Sequence, residues 1–271
     1  MRRLINQCPA RGERFALGVL PFIALLVVYV IASQLRLAEN AGDKMLPSFG
    51  SMAHTLHDYA LVEDPRSGQY LFWADTWASL KRIGAALLIS STLALLLALA
   101  IGAVPRVRAL LSPLLSTVAM ITPLAVLPIL FIVLGLEEPA KIALIVIGIL
   151  PCTARDLALR IGELPEEQLV KAQTLGASTW QLVMRVILPQ TLPRLIDSLR
   201  LNMGAAWLFL IAAEAIASTQ GLGYRIFLVR RYLAMDVILP YVVWITLLAV
   251  CADLLLRLLR ARAFAWAEPG R

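Results

Sequence analysis

His54 and His57 are the only histidines in the 271-residue chain, and they stand three residues apart. On a helix that spacing places both rings on one face, where a metal pair is conceivable. A closed site needs further ligands, and none is nearby in sequence, so the pair reads as two polar groups on a surface helix. Cys8, Cys152 and Cys251 are scattered, without metal or redox spacing, and read as small apolar fillers. There is no Gly-rich phosphate loop with its Lys-Ser/Thr end, so the chain does not hydrolyse ATP by that mechanism on its own. There is no Gly-x-Ser-x-Gly elbow either. Catalytic chemistry is poorly represented, and no metal or cofactor is expected on this chain.

Among ionisable groups in apolar surroundings, Glu214 stands out, followed by the polar exit Ser218-Thr219-Gln220-Gly221-Leu222-Gly223-Tyr224. Two readings of Glu214 stand: it lines a pathway or braces a gate, or it is a carboxylate reaching to the interface. Asn202 on the same run, Ser218 at its end, and Thr122, Pro123 and Pro128 in another run are further pathway candidates. Glu137 and Glu138 read as a solvated turn, and Asp197 and Asp253 as solvated or paired with Arg194 and Arg257.

The most heavily punctuated stretch is Glu163–Pro193. Pro165 suits a first helical position, and Glu166 and Glu167 follow where the helix dipole favours negative charge. Gly176 falls where a C-terminal cap needs positive φ. Ser178 with Gln181 three residues on forms a capping box, and Pro189 ends or kinks the second helix. Two short helices broken at a glycine, too polar to span a bilayer, make a docking element.

The elements that must position these residues are membrane helices. Hydrophobic residues make up 60% of the chain and charged ones 16%, and the mean hydropathy is +0.78. That composition excludes an ordinary soluble domain. The charge of +7 fits cytoplasmic loops of a membrane protein better than nucleic-acid binding. Six spans are expected, at about Phe15–Leu35, Ile83–Val104, Leu110–Leu134, Ile142–Ile161, Leu195–Ser218 and Val237–Leu259, each near the roughly 20 residues a crossing helix requires. The excess of Lys and Arg places both termini and Glu163–Pro193 in the cytoplasm. Between the first two spans, Ser51–Leu61 and Trp73–Ile83 read as amphipathic pieces on the outer surface. Residues 1–35 are thus a cytoplasmic tail and first span, 36–82 an outer loop, and 83–271 a five-span core.

The stretch Glu163–Pro193 resembles the cytoplasmic EAA loop of permease subunits of ABC-type importers. Val170-Lys171-Ala172 stands in the E-A-A place, Gly176 follows at the family's spacing, and nine residues later come Val186-Ile187-Leu188-Pro189. Val170 and Lys171 depart from the motif's Glu and Ala, and Glu166 or Glu167 lies one turn earlier on the same face. Leu46-Pro47-Ser48, Trp77-Ala78-Ser79-Leu80, Thr122-Pro123-Leu124-Ala125 with Leu127-Pro128, and Glu214 with Gly221-Leu222-Gly223-Tyr224 are similar to the nitrate/sulfonate/taurine/bicarbonate branch.

The resemblance implies an all-α, polytopic permease in the bacterial inner membrane that is not an enzyme. It further implies a homodimer, two ATPase subunits that bind ATP and Mg, and a periplasmic binding protein that delivers a small solute. ATPase coupling would fall to Glu166, Glu167, Val170, Lys171, Ala172, Leu175, Gly176, Ala177, Leu188 and Pro189. An integral membrane enzyme or an assembly scaffold is the alternative; an enzyme would want acids and histidines clustered at one depth.

Overall fold

The computed structural model describes residues 11–39, 44–65 and 68–267, and every described element is helical. Cys8 lies outside the described residues, as do Arg2, Arg3, Arg66 and Arg271, which belong to the Lys and Arg residues behind the expected orientation. Helix α1 (Arg11–Glu39) is apolar along its length and is tied to the chain that follows it by two hydroxyls. Tyr29 Oη donates to the Pro47 carbonyl at 2.8 Å and Ser33 Oγ to the Leu46 carbonyl at 3.0 Å. Helix α2 (Phe49–Leu61) starts at Ser48, whose hydroxyl accepts from the Ser51 N–H.

Helix α3 (Leu71–Ala103) has 33 residues, well beyond the roughly 20 that cross a bilayer. The expected surface piece Trp73–Ile83 is not separate: it forms the first turns of α3, because no proline or cap interrupts the helix there. Those turns face inward, with Asp75, Thr76, Ser79 and Arg82 buried.

The span expected at Leu110–Leu134 is two helices, α4 (Pro105–Val118) and α5 (Pro123–Leu134), at 94° to each other. The break follows from Pro123. Its ring disfavours the α conformation for Thr122, which is extended at φ −74°, ψ 111°. Pro113 and Pro128 lie inside their helices without ending them.

Helix α6 (Glu138–Gly162) is the central strut, with Leu144, Ile145, Ile149, Ala154 and Leu157 fully buried. Gly148 gives way to the Phe209 ring, which a Cβ would meet at 2.3 Å. Helix α7 (Glu166–Thr174) and a four-residue helix α8 (Thr179–Leu182) follow. The chain then runs through a π-helical turn, Val183–Ile187, into α9 (Leu188–Leu201).

Pro189 therefore does not end the second helix. Its missing N–H and its ring would disrupt a regular α-helix. The wide turn, in which the Leu188 N–H reaches the Val183 carbonyl, carries the chain through. Helix α10 (Met203–Ala217) continues after a 50° bend at Asn202, whose amide donates to Thr153 Oγ1 at 3.2 Å. Short α11 (Leu222–Arg230) leads to α12 (Met235–Ala263). Among the described residues, four helices are long and apolar enough to cross a membrane, and six segments are if each bent pair is one span.

Two apolar cores result. The larger joins α3, α5, α6 and α10 to α11 and α12; the smaller, with Ala98, Leu157, Ile161, Ile187, Leu195 and Leu199, lies beneath α7 and α8.

Candidate coupling element and charge cluster

Helix α7 has no buried residue, so its own interior contacts do little to hold it. Nine residues give about 14 Å of helix, too short to be stable alone. Its ends supply the order. Glu166 and Glu167 lie in the first turn, and the C-terminus closes as a Schellman motif. The Ala177 N–H reaches back to the Ala172 carbonyl at 3.1 Å and the Gly176 N–H to Gln173 at 2.9 Å, with Gly176 at φ +81°. The capping box forms next: the Gln181 N–H donates to Ser178 Oγ, and the Ser178 N–H to Gln181 Oε1.

The structure brings Glu166 to Ala177 together on this helix and its cap. It places Leu188 and Pro189 apart from them, at the start of α9. Gln190 on α9 spans the gap, donating to Gln168 of α7 at 3.1 Å. On the outer side Val170, Leu175 and Trp180 are 54%, 87% and 69% exposed. A helical hairpin is thus seated on the inner core and presents an apolar ridge outward.

The pathway candidates separate. Thr122 and Pro128 are exposed on the broken α4–α5 unit, with half-buried Pro123 at the break, and Asn202 sits at the α9–α10 joint. Ser218 Oγ is buried without a hydrogen-bond partner among the described residues.

Glu214 is fully enclosed, so it is not a carboxylate reaching to the interface. Its carboxylate accepts from Ser79 Oγ at 2.7 Å, Arg82 Nη1 at 2.7 Å and the Gly223 N–H at 2.9 Å. Arg82 in turn grips Glu138 through two bonds of 2.6 and 2.7 Å, so Glu138 is paired rather than merely solvated. Asp75 accepts from the Gly221 N–H at 2.9 Å and from Arg225 Nε at 2.8 Å. The Leu222 N–H donates to Ser79 Oγ at 2.9 Å.

Three N–H groups opening α11, those of Gly221, Leu222 and Gly223, are thus met by buried acids and a hydroxyl, where the helix dipole favours negative charge. The glycines allow the approach: a Cβ on Gly221 would lie 2.6 Å from Glu214 Cδ, and one on Gly223 would lie 2.7 Å from the Ile211 carbonyl. Sequence reading missed this cluster. The signal present was the spacing Asp75, Ser79, Arg82, one helix face inside a run read as surface.

The remaining acids also differ from expectation. Asp253 pairs with Arg200 at 2.7 Å and Asp197 with Arg260 at 2.8 Å, not with Arg257 or Arg194. His54 and His57 both lie beside Asp58, at 3.0 and 3.6 Å. Among the described residues no group of three or more His, Cys, Asp or Glu is placed to hold a metal ion.

Known proteins are similar to this chain in sequence and fold. The taurine transport system permease protein TauC of Escherichia coli is 36% identical over 194 residues, covering 72% of this chain and 70% of that one. The bicarbonate transport system permease protein CmpB of Synechococcus elongatus is 32% identical over 157 residues, 58% of this chain and 56% of its own. The putative aliphatic sulfonates transport permease protein SsuC of Bacillus subtilis is 27% identical over 188 residues, 69% of this chain and 68% of its own. The fold matches a chain of the inward-facing MetNI methionine ABC transporter with a TM-score of 0.53 at 17% identity, covering 74% of this chain and 99% of that one. Residues 90–265 match the family model of the binding-protein-dependent transport system inner membrane component. This chain belongs to that family, as a membrane-spanning, non-enzymatic permease subunit of an ATP-driven importer.

Proposed function

We propose that the chain, as a homodimer, forms the translocation path for a small sulfonate, taurine-like zwitterion or bicarbonate-like anion. The loop Glu163–Pro193 takes the mechanical input from the ATPase. The observation that carries this reading is the capped α7–α8 hairpin, which exposes Val170, Leu175 and Trp180 while its second helix runs unbroken into the α9–α10 span. The printed functions of the relatives, transport of taurine, bicarbonate and aliphatic sulfonates, support the solute class.

In this scheme α7 seats in a groove of the ATPase, with Glu166, Glu167, Lys171 and Ala172 flanking the apolar ridge. Both termini and the loop are cytoplasmic. Closure of the ATPase pair moves α7, and the helix from Thr179 to Leu201 carries the displacement to the joint at Asn202. Two discrete packings of α9 and α10 against α6 then alternate access. Thr122, Pro123 and Pro128, at and beyond the α4–α5 break, line the path. The charge cluster around Glu214 holds α11 to α3 and α10 as one rigid unit while the inner half moves.

The experiment is reconstitution in liposomes of the chain with its partner ATPase and binding protein. ATP-dependent uptake of taurine, an alkanesulfonate or bicarbonate is expected. Failure of all three solutes to stimulate ATP hydrolysis overturns the solute class.

A further inference from the structure

Helix α4 carries a polar stripe, Arg108, Ser112 and Ser116, at steps of four residues along one face. Together with Arg155 on α6, the stripe lines a cavity of about 470 Å³ between the two helices. The floor of the cavity is Gly162 and Glu163, the last residues before the coupling loop.

One guanidinium here is held rigidly. Arg108 Nη2 donates to the Gly102 carbonyl at 2.7 Å and its Nε to the Ile101 carbonyl at 3.2 Å, at the end of α3. Those bonds consume neither its charge nor its remaining N–H groups. Among the described residues, Arg155, Ser112 and Ser116 make no side-chain hydrogen bond or ion pair. The one acid on the wall, Glu163, is engaged by Arg160 at 3.3 Å. The cavity therefore holds two cations and two hydroxyls against one acid already paired.

We propose that this cavity binds the oxyanion head of a ligand, a sulfonate, sulfate or phosphate group, between Arg155, Arg108 Nη1 and the hydroxyls of Ser112 and Ser116. Guanidinium donors arranged in a fork match such a group in geometry and charge, and hydroxyls complete its shell. The same chemistry has two sources, an anionic lipid headgroup and a soluble oxyanion. The site adjoins the loop root but does not depend on the coupling role, because its test reads binding rather than uptake.

The test uses the purified full-length chain in complex with its ATPase, with two probes. In one arm, native mass spectrometry counts phosphatidylglycerol retained against phosphatidylcholine. In the other, lipid-depleted complex in neutral detergent is titrated with sodium sulfate against sodium chloride at equal ionic strength, read as thermal stabilisation. Arg155→Gln and the pair Ser112→Ala/Ser116→Ala are expected to weaken the responsive probe about tenfold. Arg106→Gln, at the same helix end but outside the cavity, is expected to leave it unchanged. A response to the lipid alone identifies a headgroup site, and a response to sulfate identifies a soluble oxyanion; either supports the proposal. If neither probe separates the cavity variants from wild type, or if Arg106→Gln weakens binding equally, the proposal is overturned.

Discussion

Replacing Gly176 separates the backbone geometry of the coupling loop from its side chains. Gly176 stands at φ +81° and a Cβ built there meets nothing within 4 Å. A substitution thus brings no collision with neighbours, and its effect is the left-handed backbone alone, about 1–2 kcal/mol for an L-residue. Valine, branched at Cβ, lies at the upper end and asparagine near the bottom. Helix α7 has no buried side chain to resist the change, so the strain falls on the two bonds of the cap. A shift of 1–2 kcal/mol changes the populated cap roughly 5–30-fold. ATP-driven uptake in proteoliposomes should fall by a similar factor in Gly176→Val, less in Gly176→Ala, and little in Gly176→Asn, with membrane insertion equal in all three. Uptake by Gly176→Val at the wild-type rate, or valine tolerated better than asparagine, refutes the reasoning.

Removing one partner from a buried ionic cluster is more damaging than any loop change. Glu214→Ala leaves Arg82 short of a carboxylate, and a loss of about 3–5 kcal/mol is expected, read as a lower melting temperature in detergent; Glu214→Gln should be milder because its amide oxygen still accepts. Gly148→Ala pushes a methyl into the Phe209 ring and should destabilise the α6–α10 contact by about 1–3 kcal/mol, measured the same way. Val170→Glu restores the usual acid of the related motif and should keep or strengthen co-purification of the ATPase; loss of the complex would show a groove matched to the apolar residue.

The loop was legible in the sequence because its determinants are local. Pro165, Gly176, Ser178 and Gln181 each act within a few residues; the structure places Gly176, Ser178 and Gln181 as expected and Pro165 one residue earlier, as the N-cap before Glu166 rather than the first helical residue. The α4–α5 break was written in Thr122-Pro123 but hidden by hydropathy, which averages across a bend as readily as along a straight helix. The π turn before Pro189 is a compensation that no residue preference announces. The charge cluster was illegible for another reason. Ser79, Arg82 and Glu214 meet across 132 to 135 positions, and a charged residue in a hydropathy reading simply ends a span. Only the packing of α3 against α10 and α11 turns those charges into interior groups.

The central claim is that the ridge on α7 and α8 seats in the ATPase. In a background with Cys8, Cys152 and Cys251 replaced by serine, a single cysteine at Leu175, 87% exposed on the ridge, should form a disulfide or short cross-link with the ATPase in native membranes. The yield should change when ATP is bound. A cysteine at Leu61, exposed at the end of α2, should form none. No cross-link from Leu175, or equal cross-linking from Leu61, would contradict the account.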